Sequence, residues 1–251
     1  MVKLSAVVLT YNESRNIARC LKSLQPVADE ILVVDSFSED DTVAIAESHG
    51  ARVVQHHFEG YIEQKNYATR LATYDFVLSL DADEALSEEL VGSILRVKQN
   101  FSADAYKINR LSNYCGHWVR HCGWYPDWKI RLFRKGVGHW AGMNPHDRFE
   151  LAKNTRVEKL NGNLYHYTYY SQEEHRQQIL KFADIAAKTR YEQGVRTNAL
   201  MVVAKPVAKF IKGYIIKLGF LDGYYGWVIC TRSAWATYLR YKTLYNLQNN
   251  G

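Results

Sequence analysis

The sequence predicts an α/β fold: a mixed, mainly parallel sheet flanked by helices, followed by a basic helical extension at the C-terminus. Three observations carry this. Over the first hundred of 251 residues, short apolar runs alternate with amphipathic segments, the pattern of strands and crossover helices in a sheet covered on both faces. Several of these runs end in polar residues, at Thr10, Asp35 and Asp81. Charge is also unevenly placed: residues 196–251 hold eight Lys and Arg against one acid, Asp222, whereas residues 1–195 hold 24 basic and 25 acidic residues.

In chain order, LSAVVLT (4–10) has the continuous apolar character of a buried parallel strand. The polar turn after it offers Asn12 or Ser14 as a cap for a helix with Ile17, Leu21 and Leu24 on one face. EILVVD (30–35) reads as the second strand, and DDTVAIAESHG (40–50) as a helix with acids at its start and Gly50 at its end. ARVVQH (51–56) is a third strand, YIEQKNYATRLA (61–72) a helix, YDFVLSLD (74–81) a fourth strand and SEELVGSILRVKQN (87–100) a helix. The pattern then changes. AYKINRL (105–111) alternates like a strand, and WKIRLFR (128–134) is strand-like within an aromatic, Gly- and His-rich stretch at 112–150. A polar-capped helix spans 171–194, and two further helical segments in 198–245 meet near Gly219 to Gly223. These readings place an α/β domain at 1–195, divided near residue 100, and a basic helical tail at 196–251.

Composition narrows the function classes. Hydrophobic residues at 47% and charged residues at 23% are globular usage, and only 4 Pro and 15 Gly exclude collagen-like or low-complexity chains. No uncharged apolar run reaches the roughly 18 residues of a membrane span. The N-terminal stretch reads as a first strand, not a signal peptide. Four scattered cysteines (Cys20, Cys115, Cys122, Cys230) suit a reducing cytosol better than a disulfide framework.

Parallel α/β sheets bind ligands at the carboxyl ends of their strands. Thr10, Tyr11, Asn12 and Glu13 follow the first strand, Asp35 closes the second, and Asp81-Ala82-Asp83-Glu84 follows the fourth. Each alone is explained by capping or turn formation; their convergence on one sheet edge points to a site. Asp81 and Asp83 are two carboxylates one residue apart, which repel unless a cation lies near them. Hard oxygen ligands suit Mg²⁺ or Mn²⁺, whose remaining positions take phosphate oxygens.

VVLTYNES, EILVVDSFSEDDT, YIEQKNYA and FVLSLDADE, in this order, resemble the nucleotide-sugar half of family 2 glycosyltransferases with the GT-A fold. The segments Gln64-Lys65-Asn66-Tyr67-Ala68, Asp81 to Glu84, Arg131 to Arg134 and Gly219 to Gly223 resemble bacterial lipopolysaccharide core glucosyltransferases, enzymes of the cell envelope. The resemblance implies a sugar, glucose, transferred from a UDP-sugar with inversion and with Mg²⁺ or Mn²⁺. Tyr11 would pack along the uracil, Asp35 would contact the base or ribose, and Thr10 and Glu13 would line the same pocket. Asp81 would reach the ribose or the metal, and Asp83 the metal bridging the diphosphate. Lys65 would partner a phosphate or a pocket carboxylate; otherwise it is an exposed helix lysine. The acceptor hydroxyl needs a carboxylate base opposite the leaving diphosphate. Asn144-Pro145-His146-Asp147 stands where the subgroup has His-Glu, so Asp147 is the candidate base and His146 a group that would orient it.

Three features lie outside that pattern. Cys115, His117, His121 and Cys122 fall within eight residues, but their spacing matches none of the common zinc frameworks. Trp118, Trp124, Tyr125 and Trp128 can stack on a sugar ring or fill a core. In the tail, Lys205, Lys209 and Lys212 share one helix face among apolar residues. That composition suits a helix lying on an anionic membrane, and therefore a protein held at the inner face of the cytoplasmic membrane with a glycolipid acceptor; helix packing on the domain is the plainer reading. No nucleic-acid motif accompanies the charge. A polyprenyl-phosphate acceptor, and a non-catalytic nucleotide-binding module at the membrane surface, remain alternatives.

Overall fold

The computed structural model describes residues 2–143 and 146–249 and divides into two compact units: Met1–Arg110 with Asp127–His166, and Leu111–Pro126 with Tyr167–Gly251. The strands, in chain order, are β1 (Leu4–Thr10), β2 (Glu30–Asp35), β3 (Arg52–Gln55), β4 (Phe76–Asp81), β5 (Glu84–Leu86), β6 (Ala105–Tyr114), β7 (His117–Trp118), β8 (Asp127–Arg134), β9 (Gly138–Met143), β10 (His146–Leu151) and β11 (Val157–Tyr169). The helices are α1 (Ile17–Leu24), α2 (Thr42–Ser48), α3 (Tyr61–Leu71), α4 (Glu88–Gln99), α5 (Gln172–Glu192), α6 (Ala199–Ile211) and α7 (Gly223–Asn249).

In the first unit the sheet runs β3-β2-β1-β4-β8-β6-β11-β5. β1 pairs in parallel with β2 and β4, and β2 with β3, while the β4–β8, β6–β8 and β11–β5 pairs are antiparallel. The fold is thus the expected mixed α/β sheet. Its continuous apolar strands bury both faces. Leu4, Ala6 and Val8 of β1 enter one core cluster with Ile17, Leu21 and Leu24 of α1, and Val7 enters another with Leu32, Ala68 and Val77. Register sets the edge: Thr10 pairs with Asp35 and Leu9 with Asp81, so both aspartates flank the end of β1.

The first turn differs from the expected cap. α1 begins after Asn16, which makes no side-chain cap bond. Asn12 instead adopts a left-handed φ of 52°, and its Oδ1 accepts the Glu39 N–H at 2.8 Å. That asparagine ties two loops at the sheet edge together; it does not start the helix. A polar residue in this turn was legible, but its partner lies on another loop.

In the second unit, Ser171 and Glu174 form a reciprocal capping box on α5. The Asn198 side chain accepts the Met201 N–H at the start of α6. A π-helical turn (Lys212–Ile216) and a 3₁₀ turn (Gly219–Asp222) join α6 to α7. A Cβ at Gly226 would stand 1.8 Å from the Gly219 carbonyl oxygen, so this chain reversal admits only glycine there. α5 packs along α7, so the segment 171–194, read from sequence with the α/β domain, groups with the helical tail.

Candidate active site at the carboxyl edge of the sheet

Asp35 is fully buried at the end of β2. Its oxygens accept the Ser38 N–H at 2.9 Å and the Ser38 hydroxyl at 2.5 Å. Ser38 Oγ in turn accepts the Asn12 N–H, which fixes the loop after β1. Thr10 is buried with its hydroxyl unpartnered among the described residues, and Tyr11 is exposed at 54%. Glu13 receives Asn16 Nδ2 at 2.6 Å. Burial pushes its carboxyl above the ordinary range, the Asn16 bond opposes this, and the negative field of Asp83, Asp40 and Asp81 adds to it.

Asp81 sits between two cations. Lys65 Nζ lies 3.3 Å from Oδ1, and Arg131 Nη2 donates to Oδ2 at 2.9 Å. Burial pushes the Asp81 carboxyl up, but Lys65 and Arg131 prevail and hold it well below the usual range. Lys65, only 4% exposed, also donates to Asp147 Oδ2 at 2.8 Å and stands 4.7 Å from the Trp140 ring centroid. The helix lysine therefore joins α3, β4 and β10 and is not a solvated side chain. Asn144 and Pro145 lie outside the described residues, as does the side chain of His146, so the expected orienting role of His146 falls outside the structure described.

Three residues given no individual role in the sequence reading complete the centre. Glu84 is fully buried and accepts Arg131 Nη2 at 2.7 Å and the Asp81 N–H at 3.0 Å. Arg131 is buried, and although burial works against its charge, Glu84 and Asp81 more than offset that and keep it protonated. His166 of β11 places Nε2 3.1 Å from Asp83 Oδ2. Burial lowers the His166 pKa, but Asp83 outweighs burial and the net direction is up. Glu84 and Arg131 stood inside the quoted motifs. His166 lies in a strand that sequence reading did not delimit, and its register opposite Glu84 is what brings it to the box.

Asp83 and His166, a carboxylate and an imidazole 3.1 Å apart, are side chains of a kind that could hold a divalent cation. Asp81, engaged by two cations, is the less available oxygen donor of the pair. Among the described residues, no three His, Cys, Asp or Glu side chains already converge as a metal cage. Beside Asp81 and Asp147 opens a cleft of about 490 Å³, also lined by Trp128 and Trp140.

The Cys/His segment belongs to the second unit. Asp222 accepts the N–H groups of Arg120 and His121 and faces the imidazoles of His121 at 3.1 Å and His117 at 3.6 Å. This ties the 117–122 loop to the turn before α7. Trp124 and Tyr125 belong to this unit too, Trp124 edge-on to Tyr114, and Trp118 stands edge-on to Tyr167. Of the four aromatics singled out, Trp128 lines the cleft.

Likeness to solved structures gives the class: the fold is that of the GT-A glycosyltransferases. The TarS structure from S. aureus, solved with UDP, superposes with a TM-score of 0.51 over 100% of this chain and 92% of its own, at 17% identity. The chain belongs to glycosyl transferase family 2, whose family model matches residues 5–176. A glycosyltransferase of Rickettsia typhi is 32% identical over 257 residues, 98% of this chain and 88% of the relative. LpsC, a lipopolysaccharide core biosynthesis glycosyltransferase of Rhizobium meliloti, is 25% identical over 84% of this chain and 80% of its own.

Proposed function

We propose that this chain transfers a sugar, glucose, with inversion from a UDP-sugar to a lipopolysaccharide-core or other lipid-linked saccharide. The observation that carries the reading is the linkage of Asp81 at the end of β4 to Asp147 of β10 through one buried lysine, Lys65, beside an open cleft. The nucleoside falls to Thr10, Tyr11, Glu13 and Asp35 around the end of β1. Asp83, with Asp81 and His166 nearby, would hold Mg²⁺ or Mn²⁺, which would supply positive charge to neutralise the departing diphosphate. Lys65 and Arg131 fix Asp81, and Lys65 holds one oxygen of Asp147, which orients that carboxylate toward the cleft as general base. The family assignment and the relationship to LpsC support the reaction class and the acceptor class.

The test is a screen of UDP-sugars for metal-dependent release of UDP. Asp83→Ala lowers turnover about a hundredfold or more. Asp147→Asn keeps UDP binding and lowers turnover roughly 10²–10⁴-fold. Full activity of Asp147→Asn on a polyprenyl-phosphate acceptor, an anion that needs no base, moves the reading to that acceptor. Failure to bind UDP with Mn²⁺ present, together with tight liposome binding, favours the non-catalytic membrane-surface module.

The second unit supplies a reason for a lipid-linked acceptor. α6 buries none of its residues, and the segment from Leu200 to Trp227 exposes Leu, Val, Ile, Phe, Tyr and Trp side chains among Lys205, Lys209, Lys212 and Lys217. We place this face on the anionic inner leaflet of the cytoplasmic membrane. No helix among the described residues is long and apolar enough to cross a membrane.

A further inference from the structure

The cleft beside Asp81 is lined by six cations, Lys65, Lys107, Arg110, Lys129, Arg131 and Arg148, and by two acids, Asp81 and Asp147. Both acids are already engaged by Lys65, and Asp81 by Arg131 as well. The acids that balance the remaining cations are Asp127 beside Arg110 and Lys129, Glu84 beside Arg110 and Arg131, and Glu150 beside Arg148. None of these three lines the cleft. What the cleft presents to a ligand is therefore cationic.

Two groups are left short of partners. The Lys107 side chain has no hydrogen bond or ion pair among the described residues, its backbone alone pairing with β8. Arg131, 3% exposed, leaves Nε and Nη1 without a hydrogen-bond acceptor. Buried guanidinium N–H groups without acceptors are costly, and like charges gathered around one cleft repel. An oxyanion relieves both, since it brings several lone pairs and a compensating charge to planar and point-charge donors. Trp128, which also lines the cleft, adds an apolar ring edge to it.

We infer that this cleft is an acceptor subsite that selects a saccharide carrying an oxyanion, a phosphate monoester or a carboxylate, with Lys107 and Lys129 as its principal contacts. The word acceptor rests on the transferase reading; the preference for an oxyanion does not. The donor's diphosphate is a separate anion, so the experiment fills the donor site first.

Calorimetry on the full chain, saturated with UDP and Mn²⁺, measures binding of glucose 6-phosphate, glucuronic acid and uncharged methyl glucoside. A charged probe binds on the order of tenfold or more tightly than methyl glucoside, and its advantage shrinks at high salt. Lys107→Ala and Lys129→Ala each cost about tenfold for the charged probe, with UDP affinity and melting temperature unchanged. Binding of the phosphate alone assigns a phosphorylated saccharide, and of the carboxylate alone a sugar acid. Equal binding of charged and uncharged probes, no binding of either charged probe, or insensitivity to both substitutions overturns the inference. If UDP itself fails to bind, the UDP-sugar donor reading falls, and the same titrations without nucleotide still decide the oxyanion preference.

Discussion

Lys65 shows how much one residue organises here. Its ammonium is buried, shared between Asp147 at 2.8 Å and Asp81 at 3.3 Å. Removing one partner of such a set leaves carboxylates that lack compensation, a loss on the order of 3 kcal/mol. Lys65→Met is therefore expected to lower the unfolding free energy by about that amount, read from denaturant melts. Lys65→Met combined with Asp147→Asn should lose less than the sum of the two single changes, because the lysine no longer abandons a charge at residue 147. Strict additivity would mean that the two side chains do not interact. The sequence marked Lys65, Asp81, Asp83 and Asp147 because they stand in strand-end or motif positions. It gave no individual role to His166, Arg131 or Glu84. Their roles arise from pairing between strands far apart in the chain: β11 with β5 brings His166 opposite Glu84, and the strand order β4-β8 sets Arg131 beside Asp81. No local periodicity encodes such a register.

At the scale of elements, the parallel half of the sheet was legible almost to the residue, because an apolar run with both faces buried has no other good home. The strands β5, β9, β10 and β11 were not. They are short, or like β11 alternate aromatic and polar residues at half burial, so neither strict alternation nor an apolar run announces them. In the second unit, α5 carries a testable pH dependence. His175, buried near the start of α5, places Nδ1 3.0 Å from the Tyr114 hydroxyl of β6 and stacks on Tyr169 of β11, with Arg232 of α7 the nearby charge. Burial first, and Arg232 second, push its pKa from 6.5 down to about 4. The folded chain thus resists a proton that the unfolded chain accepts. Stability from this group is complete above pH 6.5 and falls as the pH drops from 6.5 toward 4. The whole effect is at most about 3 kcal/mol. His175→Phe keeps a ring beside Tyr169 and removes the titration. Its unfolding free energy should vary less with pH across that interval than that of the parent, and an unchanged slope would exclude His175 as the source.

At the scale of the whole molecule, the net charge of +6 comes from the last 56 residues, in which Asp222 is the one acid and is itself buried against the 117–122 loop. Leu200, Val203, Ile216 and Tyr224 are each more than 60% exposed in the same segment. Water does not favour so much open apolar surface on a free-standing protein, so the face calls for a cover. A second copy would set lysine against lysine. An anionic bilayer satisfies both properties at once, because apolar side chains enter the acyl boundary while Lys205, Lys209, Lys212 and Lys217 stay among the headgroups. Each lysine near such a surface contributes about 1 kcal/mol, so four contribute about 4 kcal/mol, equivalent to a preference near 10³-fold for anionic over neutral vesicles at low salt. Cosedimentation with phosphatidylglycerol vesicles should show this preference, and it should weaken as salt rises. Lys209→Glu with Lys212→Glu should reduce the anionic preference, whereas Leu200→Asp with Ile216→Asp should weaken binding to vesicles of either kind. Equal binding to neutral and anionic vesicles would remove the electrostatic part of the argument. No vesicle binding, together with a dimer in sedimentation that the Leu200→Asp/Ile216→Asp change dissolves, would assign the face to a second copy of the chain.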